Sequence, residues 1–220
     1  MSAHDAKLQI LASAKELLIL IVMLLIAPLA LYIDLAILHN DIGEISVTEI
    51  AQETFVAFAA LLFALAAKRT PPARGFYLLA AGFFSCVLIR ELDQLFDHVY
   101  HGFWLIPALL TAMLCIGYAC LYCNDSIWIP LAAFTKQREY VYMVGGLLMV
   151  LVFSRVFGSG RLLWEHIMGQ DYNFVFKSAL QEGLELLGYT WMSYAAYCQC
   201  WRPQTHTDEI QSSLTRLVDV

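Results

Sequence analysis

Two stretches of this chain hold the residue types that do chemistry in proteins, and both hold them at helical spacing. The first is Arg90-Glu91-Leu92-Asp93-Gln94-Leu95-Phe96-Asp97-His98-Val99-Tyr100-His101. Wound as one helix, Asp93, Asp97 and His101 form an i, i+4, i+8 row, and Arg90, Glu91, Gln94 and His98 share its arc of about 160°. Carboxylates and imidazoles gathered in this way are donors for a divalent metal, Zn or Fe, that keeps one position open for water. Asp97, His98 and His101 are the candidate metal ligands, joined by His166 from further along the chain. The plainer alternative is a helix end at the water interface, with Arg90 neutralising Asp93 or Asp97. No H-E-x-x-H-type spacing is present.

The second stretch runs from Lys177 to Glu185. Lys177, Ser178, Gln181, Glu182 and Glu185 occupy an arc of about 140° on the same wheel. Two carboxylates three residues apart serve as metal ligand plus general base, or as an acid/base pair where burial separates them. Glu182 and Glu185 are therefore the candidate catalytic residues. The alternative is an internal ion pair from Lys177 or Arg155 to one glutamate, holding helices together.

Other segments add polar groups at a similar level. Asp34 and His39 follow the first apolar run, Glu49, Gln52 and Glu53 open the second, and Arg155 closes the fifth. Arg161-Leu162-Leu163-Trp164-Glu165-His166 reads as a short amphipathic return segment, its Trp at headgroup level and its Glu165/His166 pair over the polar mouth. Five spans delivering ionisable groups to one depth predict a shared polar cavity. Its supporting residues would be Asp34, Glu49, Glu53, Arg90, Glu91, Asp93, Arg155, Glu165, Lys177 and Gln181.

The elements that position these groups are apolar helices. The uncharged runs Leu17–Ile33, Thr54–Ala67, Gly75–Ile89, Tyr140–Ser154 and Leu186–Trp201 hold 17, 14, 15, 15 and 16 residues. A helix crossing the hydrocarbon core needs about 20. Only Gly102–Asn124, at 23, crosses unaided; charge completes the others. With 60% hydrophobic and 15% charged residues and a mean hydropathy of +0.64, the chain departs from soluble domains, in which about a quarter of residues are charged.

The predicted fold is all-α: a polytopic membrane bundle of six transmembrane helices, near 17–38, 46–67, 75–98, 102–123, 140–158 and 176–200. An N-terminal cytoplasmic segment, 1–16, precedes the six-helix domain, 17–201, and a mobile cytoplasmic tail, 202–220, follows it. Pro28 should kink the first span. Ser126–Thr135 reads as an interfacial segment, and Gly158-Ser159-Gly160 as a breaker.

Both termini are expected to be cytoplasmic, because Lys and Arg favour the inner side. Lys7, Lys15, Lys68, Arg69, Arg74, Lys136, Arg138, Arg202 and Arg216 then lie inside, nine of thirteen. Twelve of the nineteen acids, Asp41, Glu44 and Asp171 among them, lie outside. The expected location is the bacterial inner (plasma) membrane, with membrane lipids as surroundings and no nucleic-acid partner.

The cysteines carry less. Cys120-Leu121-Tyr122-Cys123 and Cys198-Gln199-Cys200 lie at one inner level, where four thiols can hold zinc. They equally suit small apolar fillers on the reducing side. No family motif maps onto these residues: Ser154-Arg155 and His166 lie too far apart for a membrane lipid phosphatase, and intramembrane metalloproteases with paired glutamates need an adjacent Glu-Glu.

The leading expectation is an outward-facing, acidic and His-lined cavity performing metal-dependent hydrolysis or transfer on a lipid or envelope substrate. The alternatives are a proton- or cation-coupled transporter, and a non-catalytic membrane sensor or assembly subunit. Lys177, Gln181, Glu185, Tyr189, Ser193 and Tyr197 recur every fourth residue down the sixth span, with Glu185 and Tyr189 opening the inward route of the transporter alternative. The row, however, winds through roughly 200°. Elsewhere the inner half is dry, with nothing more polar than Ser85, Cys86, Thr111 and Tyr118, which favours a pocket served from outside over a through-channel.

Overall fold

A computed structural model describes residues 2–40, 46–169 and 174–201. Every regular element among them is helical. Five helical segments are long and apolar enough to cross a membrane: His4–Leu38, Val47–Arg69, Pro71–Glu91, Leu105–Tyr122 and Arg138–Phe157. The last of these is only 17% buried, and Leu105–Tyr122 only 11%. An apolar helix that leaves most of its surface outside the bundle is matched to lipid rather than to water. The chain is thus a helical bundle consistent with an integral membrane protein.

Helix α1, Ala3–Tyr32, takes in most of segment 1–16 and runs through Pro28. Its start is a capping box in which Ser2 accepts from the Asp5 amide and Asp5 returns the bond. It ends in a π-helical turn, Ile33–Leu38, closed by His39 in the left-handed conformation. Helix α2, Val47–Arg69, and helix α3, Arg74–Glu91, are joined by a tight turn containing Pro71 and Pro72. The short α4, Asp93–Asp97, precedes α5, Leu105–Tyr122. The predicted interfacial segment contains α6, Trp128–Phe134. Then come α7, Arg138–Leu148, a second π-helical turn at Met149–Phe153, and α8, Ser154–Phe157, which stops at the predicted glycine breaker. A third π-helical turn, Gly160–Trp164, leads into α9, Glu165–Met168. Helix α10, Phe174–Trp201, closes the described chain.

The third span is shorter than 75–98. The helix breaks at Leu92, whose backbone (φ −84°, ψ 20°) is not helical, and α4 ends at Asp97. The Asp97 carboxylate explains the second stop: it accepts the Gly102 amide at 2.8 Å and lies 2.8 Å from His101 Nδ1. Gly102 takes φ +85°, which a side chain would strain. Asp93, Asp97 and His101 therefore do not continue as one helical row from Arg90.

Helix α10 is the axis of the bundle, packed by α1, α2, α7 and α8. Helix α3 lies on the far side of α2, and α5 on the far side of α3. Small residues let the axes close up. At Gly146 a Cβ would sit 2.5 Å from the Gly188 carbonyl oxygen, so α7 and α10 touch backbone to backbone. Between α2 and α3, Phe63 stacks on Phe84 at 5.6 Å over buried Ala59, Ala66 and Ala81.

Successive long helices run in opposite directions, with α2 and α10 packed side by side in the same direction, so charge separates by end. Lys68, Arg69, Arg74 and Arg138 mark one end, where Arg138 pairs with Glu16 at 2.6 Å. Glu49, Glu53, Glu91, Glu165 and Glu182 mark the other. Asp41, Glu44, Asp171, Arg202, Arg216 and the tail 202–220 lie outside the described residues.

Candidate functional site

The acidic end contains a buried carboxylate cluster built on α10. Leu186 and Tyr189 lock this stretch of helix into the core at 0% and 1% exposure. Glu182, Glu185 and Tyr189, at i, i+3 and i+7, consequently share one inward face. The Tyr189 hydroxyl donates to Glu91 Oε1 at 2.6 Å. The Arg90 guanidinium pairs with the same oxygen, although both residues come from the last turn of α3.

Two further anchors hold the glutamates of α10. The Gln52 amide, from α2, donates at 3.0 Å to both Glu182 Oε2 and the Glu182 carbonyl. Glu185, 3% exposed, accepts from Ser154 Oγ at 3.0 Å and from Gln181 Nε2 at 3.3 Å, with Arg155 Nη2 3.9 Å away. The charges of Glu91, Glu182 and Glu185 act on one another, and Arg90 acts on all three. Three carboxylates thus share one close guanidinium, with Arg155 at the margin.

Glu91 also faces outward. It lines an open pocket of about 760 Å³ together with Glu49, Glu53, Gln94, Asp97 and His98. Gln94 Nε2 reaches Glu49 Oε1 at 3.5 Å across the mouth between α2 and α4. One side chain, Glu91, therefore belongs to both the solvent-reached pocket and the buried cluster. Beyond the cluster toward the basic end the core is filled mainly by Phe63, Phe84, Met192 and Ala196, with the buried Ser193 hydroxyl donating to the Phe55 carbonyl at 2.7 Å.

Other expected cavity residues have different positions. Asp34 does not enter the cavity. Its fully buried carboxylate caps α2, accepting the Val47 amide at 2.8 Å, the Thr48 amide at 2.9 Å, the Thr48 hydroxyl at 2.6 Å and Asn40 Nδ2 at 3.1 Å. Such acceptors at a helix N-terminus satisfy orphan donors and complement the helix dipole. Asp93 is half-buried on α4 outside the pocket lining. Arg155, Glu165, Lys177 and Gln181 line a second, separate pocket with Arg161.

The expected metal ligands do not converge. Among the described residues, no three His, Cys, Asp or Glu side chains come together as a metal-binding group. His98 Nδ1 instead donates to the Gln94 carbonyl at 2.8 Å, the His101 side chain is 98% exposed, and His166 is exposed on α9. The Gly102 amide, with the His101 ring beside it, holds the Asp97 carboxyl below the usual carboxylate range. The six cysteines are free thiols.

Gln52, Ser154 and Tyr189 are cluster members beyond the expected set. The signal for Tyr189 was its spacing, four residues after Glu185. That for Gln52 was its place between Glu49 and Glu53. Nothing in the sequence pairs Ser154 with Glu185. No protein-family model, curated protein or solved structure matches the chain.

Proposed function

We propose that this is a six-span membrane protein that takes up a proton or small cation from its outward pocket into the carboxylate cluster, as an ion-coupled transporter does. The observation that carries the reading is the double membership of Glu91, in the pocket lining and in the buried Glu91–Tyr189–Arg90 contact. Buried charge in a low-dielectric bundle demands compensation. Glu91, Glu182 and Glu185 exceed the cations that reach them, and a proton or a cation entering through the pocket makes up the difference. The packing of Phe63, Phe84, Met192 and Ala196 beyond the cluster supports entry from the outer side, as the outward-facing state of an alternating-access cycle requires.

In this reading α10 is the sixth crossing. Its 28 residues reach about 42 Å as a helix. Its polar groups are kept from lipid by the helices around it rather than by composition. Both termini then face the cytoplasm, with Lys68, Arg69, Arg74 and Arg138 on the inner side. The hydrolase or transferase reading has less support. Ser154, the hydroxyl beside a carboxylate, is fully buried, and its one proton is shared between Glu185 at 3.0 Å and the nearer Val150 carbonyl at 2.6 Å.

The test is ion binding by purified protein, read as proton release to an indicator dye on addition of Na⁺, K⁺ or Li⁺, followed by flux in proteoliposomes. The wild type should exchange protons for a cation or carry protons down an imposed gradient, and Glu182→Gln/Glu185→Gln should do neither while remaining folded. Absence of both signals in the wild type overturns the proposal, as does full activity in the double variant.

A further inference from the structure

The second pocket of the acidic end, about 400 Å³, is lined by three cations from three segments: Arg155 of α8, Arg161 of the π-helical turn and Lys177 of α10. Apart from these, the only Lys or Arg at this end among the described residues is Arg90, which is engaged by Glu91. Positive charge at this end is thus concentrated in one recess. Three like charges brought together repel one another. Arg155 already faces Glu185 at 3.9 Å, which leaves Glu165, the one carboxylate in the lining, against both Arg161 and Lys177. Among the described residues neither Arg161 nor Lys177 meets a carboxylate at salt-bridge distance; Lys177 lies instead over the Phe174 ring at 5.2 Å.

We infer that this recess binds a phosphate-bearing anion, either the headgroup of an anionic phospholipid or free phosphate. Guanidinium forks suit phosphate oxygens, and a lysine adds a point charge. The Gly158-Ser159-Gly160 turn contributes a wall of small residues, and Gln181 a neutral amide. The surroundings favour the lipid source. Leu162 and Phe174, each next to or near a cation of the recess, are 70% and 65% exposed, which offers apolar surface for acyl chains. Trp164 is buried behind the turn, its indole N–H donating to the Phe157 carbonyl at 2.6 Å and its ring against Phe176 at 5.0 Å. That fixes the walls from within.

The recess borders the carboxylate cluster through Arg155 and Gln181, but among the described residues Arg161 and Lys177 pair with none of its glutamates, so their variants test it separately. Full-length protein in a neutral detergent is titrated with short-chain phosphatidylglycerol, and in a parallel arm with inorganic phosphate, binding being read by native mass spectrometry and by shift in melting temperature. Saturable binding of phosphatidylglycerol alone assigns the lipid headgroup, and equal binding of inorganic phosphate assigns the free anion. Arg161→Ala/Lys177→Ala should weaken either by roughly tenfold or more. Glu165→Gln, which removes the repelling carboxylate and nothing else, should strengthen it several-fold. Binding of neither probe by the wild type overturns the inference. So does unchanged affinity in a folded double variant together with no gain in Glu165→Gln.

Discussion

Tyr189 and Glu91 lie 2.6 Å apart, hydroxyl to carboxylate, in a contact that ties the central helix to the wall of the acidic pocket. The tyrosine is 1% exposed, so its hydroxyl has no water to fall back on. Removing it leaves Glu91 with Arg90 alone. Tyr189→Phe should destabilise the protein by about 1–2 kcal/mol, read by denaturant unfolding in micelles. It should also lower the affinity of the cluster for its ion. Unchanged stability and unchanged binding would show that the contact is incidental.

The cap on α2 makes a sharper demand. Asp34 accepts two backbone amides, a hydroxyl and a side-chain amide from a fully buried position. Asp34→Ala leaves those donors without an acceptor and should cost at least about 2 kcal/mol. Asp34→Asn retains an acceptor oxygen and should lose less. Ion binding per folded molecule should be unaffected in both, which separates Asp34 from the cluster.

Backbone contact between α7 and α10 predicts a contrast among glycines. A Cβ at Gly188 would meet Val150 Cγ2 at 2.6 Å and the Gly146 carbonyl oxygen at 2.7 Å. Gly188→Ala should therefore destabilise by about 1–3 kcal/mol. At Gly117 nothing lies within 4 Å, so Gly117→Ala should be neutral or gain up to about 1 kcal/mol from helix propensity. Melting temperatures of the two variants, measured side by side, give the comparison.

Asp97 supplies a pH dependence outside the apolar spans. The Gly102 amide and the His101 ring depress its carboxyl in the folded state. A depressed carboxylate stabilises the folded turn above its unfolded pKa, and that contribution is lost as pH falls through the folded value. The protection of the Gly102 amide, its hydrogen-exchange rate taken relative to the intrinsic rate at each pH, should fall on acidification through the acid side of the usual carboxylate range. In Asp97→Ala the exchange should already be fast at neutral pH, with no such step.

Sequence and structure agree where local chemistry decides the outcome. Apolar runs place α1, α2, α3, α5 and α7, and Gly158-Ser159-Gly160 ends α8 because small flexible residues cannot sustain a helix. Glu182 and Glu185 meet Glu91's field because helical spacing puts them on one face. The break at Leu92 was not legible, since on one side of it Glu91 is bonded to Tyr189 of α10 and on the other Asp97 folds back on Gly102, contacts made outside the local sequence pattern. Asp34 reads as one more charge in a cavity until its partners, 13 and 14 residues on, are known. Helix α10 carries Glu182 and Glu185 at its polar end and still sits at the centre, because its polar side chains find partners on α2, α3 and α8.

The three π-helical turns, Ile33–Leu38, Met149–Phe153 and Gly160–Trp164, all lie toward the acidic half of the molecule. Each widens one winding of its helix and loosens the hydrogen-bond ladder there, beside Asp34, Ser154 and Arg161 respectively. The basic half has ordinary tight windings and close alanine contacts instead. The widened windings have slack to give around the charged groups, so a small rearrangement on the proposed ion capture would be absorbed there without unseating the helices packed at the opposite pole.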